Sequence, residues 1–70
     1  MNHDQQNILA AYDEAIKKLY ATLFDCFVEA GGDSAQQQQA EQNFTKGVGF
    51  AQRARDRAMS LVGANGAATS

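Results

Sequence analysis

Residues 45–55, Thr-Lys-Gly-Val-Gly-Phe-Ala-Gln-Arg-Ala-Arg, set two glycines among basic side chains in a stretch that otherwise reads as amphipathic helix. Each glycine costs a helix about 1 kcal/mol relative to alanine, so each asks for a compensating contact. At about 100° per residue, Gly49 shares the outer helix surface with Gln42, Lys46, Arg53 and, further round, Arg57. Bare backbone beside basic side chains offers a resting place for phosphate or carboxylate. Lys46, Gly49, Arg53 and Arg57 are therefore candidate ligand-binding residues, and an ordinary solvated face is the alternative reading of the same pattern. The order of glycine and lysine is not that of a Walker loop, which also needs a preceding strand.

Other reactive side chains form no constellation. Cys26 is the single cysteine and His3 the single histidine, so no disulfide framework, metal site or thiol–imidazole pair is expected. Asp13, Glu14, Asp25 and Glu29 are scattered along one segment without the pairing that acid–base catalysis requires. No catalytic residue and no cofactor is expected, and the chain reads as a non-enzyme. Arg55 lies near the apolar face, with Asp13 as its expected ionic partner.

The elements that position these residues follow from periodicity. Leu9, Tyr12, Ile16, Leu19, Leu23, Cys26 and Ala30 recur alternately three and four apart, which predicts a helix over about 4–30. Asn2 with Gln5 suits its start, and Gly31-Gly32 its end. Ser34 with Gln37 fits a capping box, so a second helix is predicted over about 34–62 after a turn at 31–33. Its apolar series is Ala40, Phe44, Gly47, Ala51, Ala54, Ala58 and Leu61, nearly all small, opposite the large residues of the first helix. So short a turn makes the helices antiparallel neighbours. The expected fold is all-α, a two-helix hairpin forming one domain over 1–63, with a C-cap near Gly63 and a flexible tail over 64–70.

One hairpin cannot cover its own apolar surface. Tyr20, Phe24, Phe27 and Val28 lie beside or outside the first seam, and Phe50 edges the second, so these are the candidate interface residues. A chain of 70 residues buries only about 60% of its unfolded surface, and a homo-oligomer, at least a dimer and a four-helix bundle in its simplest form, is expected. Six Lys and Arg against eight Asp and Glu give a net charge of −2, which argues against general nucleic-acid binding. The apolar run from Leu19 to Val28 is too short and too interrupted to span a membrane, and the start Met-Asn-His-Asp-Gln-Gln does not read as a signal peptide. A cytoplasmic location is expected.

Tyr12 with Ile16, the short turn, the Ser/Gln opening of the second helix, the pair Thr45-Lys46 and the alanine-rich run from Ala51 to Ala58 together resemble a known layout. It is the helical-hairpin domain of phage proteins that sequester the cyclic-nucleotide signals of bacterial immune systems, over roughly residues 12–59. That resemblance implies an oligomeric sponge that binds a small anionic cyclic nucleotide between helices without cleaving it, with Thr45 and Lys46 facing the ligand. The residues themselves leave a second class open, a dimeric regulator or inhibitor that docks on a partner protein. An RNA-binding hairpin dimer is a more distant third.

Overall fold

The computed structural model describes the backbone of residues 2–69 and the side chains of 2–63. Two helices, α1 (His3–Ala30) and α2 (Ser34–Thr69), pack against each other as a hairpin. No strand occurs among the described residues. The expected tail over 64–70 falls on side chains outside those described.

Each helix end has a local cause. Asn2 accepts a hydrogen bond from the Gln5 backbone N–H at 2.7 Å, while the Gln5 side chain accepts from the Asn2 N–H at 3.1 Å, the capping box expected there. The Asn2 side-chain amide also donates to the Val62 carbonyl at 3.5 Å, which ties the start of α1 to α2. At the other end of α1, Gly31 adopts φ 59°, a backbone open to glycine at little cost, and its N–H donates to the Phe27 carbonyl at 3.1 Å. The cap of α2 falls one residue earlier than predicted: Asp33, not Ser34, accepts from the Gln36 N–H at 3.1 Å. A carboxylate here also meets the positive end of the helix dipole. Gln37 turns its amide outward to the Gly31 carbonyl, at 2.8 Å, and so braces the turn.

The seam is built of large side chains against small ones. A Cβ added at Gly47 would stand 2.6 Å from Leu19 Cδ2, so Leu19 occupies the place of the missing side chain. Gly63 is not a C-cap. It keeps φ out of the positive range, and a Cβ there would approach the Gln5 side-chain nitrogen to 3.1 Å, so it too is a place of close helix approach. On α2 the seam departs from the predicted series after Ala51: Arg55, Ala58 and Val62 turn inward, whereas Ala54 and Leu61 are exposed. The steps from Ala40 to Val62 are thus four, three, four, four, three and four, close to the natural period of a straight helix rather than a strict heptad.

Little is sealed away from solvent. Among the described residues Ala30, at the end of α1, and Ala40, in the second turn of α2, are buried, and the rest of the seam is partly exposed. The molecule is a rod of 56 × 15 × 10 Å with a radius of gyration of 16.3 Å. A compact domain of this length would have about 11 Å.

Candidate functional site

The anion-accepting candidates all lie on the outward side of α2. Thr45 and Lys46 border one shallow groove together with Gln38, Glu41 and Gln42. The Thr45 hydroxyl is already committed, donating to the Glu41 carbonyl at 2.9 Å. Gly49, Arg53 and Arg57 stand further along the helix, so that Lys46 and Arg57 are separated by about 16 Å of helix rise. They form a stripe rather than a pocket.

Gly49 is bare in fact: a Cβ added there would meet nothing within 4 Å. Arg53 leaves that space open and reaches the Gly49 backbone instead. Its Nε reaches the Gly49 carbonyl at 3.4 Å, and its guanidinium carbon lies 4.8 Å from the centre of the Phe50 ring. Folded back in this way the cation covers one aromatic face. Helix α2 continues unbroken through Gly47 and Gly49, so no backbone N–H is released by a bend.

Arg55 departs from expectation in its partner. It pairs with Asp56 at 2.9 Å, not with Asp13, and its guanidinium carbon stands 4.5 Å from the centre of the Tyr12 ring. The hydrogen bond to Asp56 raises the Arg55 pKa above its usual value, opposed by partial desolvation, so the group stays charged. The Tyr12 ring on α1 offers the cation a flat apolar face, and Asp56 satisfies its edge.

The most pronounced feature is uncovered apolar surface. Tyr20, Phe24 and Val28 are 61%, 56% and 65% exposed, and follow one another at intervals of four along α1. Phe27, placed with them by the sequence, is instead half-buried. Phe50 and Leu61 on α2 are 64% and 49% exposed. Between the helices runs a hollow bordered by Ala11, Ala15, Ala51, Ala54 and Ala58, with Ile8, Tyr12 and Arg55 completing its walls. The importance of Leu61 and Ala54 was missed by periodicity, which placed both in the seam. The true signal was the four-residue step between Ala51 and Arg55, which a basic residue at the inner position disguised.

Cys26 is half-buried beside Ala40 and Asn43, at the end of the hairpin near the turn. Among the described residues no cluster of His, Cys, Asp and Glu has the makings of a metal site, and no helix is long and apolar enough to cross a membrane. Compared with known proteins, the chain matches no protein-family model, no curated protein and no solved structure.

Proposed function

We propose that this protein is a non-enzymatic, cytoplasmic binding protein, a self-associating helical hairpin that docks a partner protein on α1 and thereby regulates it. One observation carries the reading: Tyr20, Phe24 and Val28 form a ridge of large apolar side chains, each more than half exposed, that the hairpin's own fold leaves uncovered. Aromatic anchors of this kind dominate the energetics of protein interfaces, and a ridge spaced at intervals of four suits the groove of an apolar partner. Self-association is favoured by area. The chain exposes 5122 Å², where a compact monomer of its mass would expose about 4200 Å².

The test places a photoreactive benzoylphenylalanine at Phe24 and irradiates the protein in extract of its source cell. A cross-link to one distinct protein, lost on Tyr20→Lys, is the expected result. Cross-linking to other copies of this chain alone would overturn the docking reading.

A second reading, sequestration of a small anionic nucleotide, is favoured by the stripe of Lys46, Arg53 and Arg57 around the open space at Gly49. Arg53 would have to leave the Gly49 carbonyl and swing outward to close on a phosphate, which a long guanidinium side chain can do at small cost.

A further inference from the structure

We infer that the face of α2 carrying Phe50, Ala54 and Leu61 is where a second copy of this chain docks, through a two-fold contact centred near Ala54. The inference rests on the proposed self-association and names its surface. Ala54 borders the interhelical hollow, and Phe50 and Leu61 lie four residues before and seven after it, on the same strip of helix. This face therefore carries protruding side chains and a small-residue hollow side by side.

That combination is what an isologous contact requires, because the same patch must be complementary to itself. With α2 running antiparallel to its copy about an axis at Ala54, residues equally distant from 54 come face to face. Phe50 of one copy then lies against Ala58 of the other, a ring against a methyl group, and the reciprocal contact repeats it. The ridge of Tyr20 and Phe24 offers no such self-complementarity. It consists of protrusions, and Tyr20 stands roughly 140° around α1 from Ala15, on the far side of the hairpin from the hollow.

The molecule has surface to spare for one such contact: the whole chain exposes about 900 Å² more than a compact monomer of its mass, against about 800 Å² buried per partner in a standard interface. Docking here leaves Tyr20, Phe24 and Val28 free on the opposite flank.

The test is site-directed cross-linking of the full chain in a Cys26→Ser background, which removes the native thiol. Under mild oxidation Ala54→Cys should give a disulfide-linked dimer about tenfold faster than Phe24→Cys, since a disulfide forms only where the two Cβ atoms come together near the axis. In parallel, Leu61→Lys should sediment as a monomer at concentrations where the wild type associates and should melt at a lower temperature, while Phe24→Lys should sediment and melt as the wild type does. Faster cross-linking through Phe24→Cys, or equal rates at both sites, would overturn the assignment of the face while leaving self-association standing. A wild-type chain that sediments as a monomer at micromolar concentration would overturn both, and a shift only on addition of another protein would give the face to that partner.

Discussion

Gly47 and Gly49 stand two residues apart and answer to different neighbours. Leu19 fills the space at Gly47, so Gly47→Leu should destabilise the fold by about 1 to 3 kcal/mol through overpacking. Gly49 opens on solvent, and Gly49→Ala should stabilise by about 0.4 to 1 kcal/mol by narrowing the unfolded ensemble. Urea unfolding of the two variants checks both signs, and equal stabilisation by both would refute the seam. The role of Gly47 was legible because it continues a three-four series. The partner of Arg55 was not, since a long side chain can turn either to the facing helix or to its own. It pairs with Asp56 on α2 while its guanidinium lies against the Tyr12 ring of α1. If the outer stripe captures nucleotides, a cyclic nucleotide at 100 times its dissociation constant should add about 2.7 kcal/mol of stability. Arg53→Ala and Gly49→Gln should each diminish that gain, and unchanged melting across a panel of cyclic nucleotides would dismiss the stripe as a binding surface.

Helix ends separate residues that the sequence presents as pairs. Asp33 caps α2 and Ser34 follows it inside the first turn, so Asp33→Ala should cost about 1 kcal/mol and Ser34→Ala much less. Gly31 and Gly32 differ likewise. Only Gly31 has a positive φ, so Gly31→Ala should be the more destabilising of the two in thermal melts, by about 1 kcal/mol. The existence of both helices, their antiparallel order and the turn were readable from periodicity and turn chemistry. The second half of the α2 seam was not. A strict alternation of three and four selects Ala54 and Leu61, yet the helix keeps closer to its natural period and brings Arg55 and Val62 inward. Alanine gives a weak periodic signal, because its small side chain is at home on either face of a helix. The outward turn of Ala54 and Leu61 is also what builds the α2 face beside the hollow.

At the scale of the whole molecule, the rod is too thin to hold a core. Among the described residues only Ala30 and Ala40 are sealed; the larger apolar side chains of the seam stay partly exposed, and Tyr20, Phe24, Val28 and Phe50 are more than half open to water. The excess of apolar residues over what one hairpin covers was readable in the sequence. The hollow was not, because only in the packed hairpin do Ala11 and Ala15 of α1 join Ala51, Ala54 and Ala58 of α2. If self-association, as proposed, supplies burial that one hairpin lacks, folding and association are linked, and the stability of the helices depends on protein concentration by mass action. Circular dichroism melting over a wide dilution series tests this most directly. The Tm should rise steadily with concentration, and helicity should fall in the most dilute samples. A Tm independent of concentration, with full helicity in a chain of monomer mass, would contradict it.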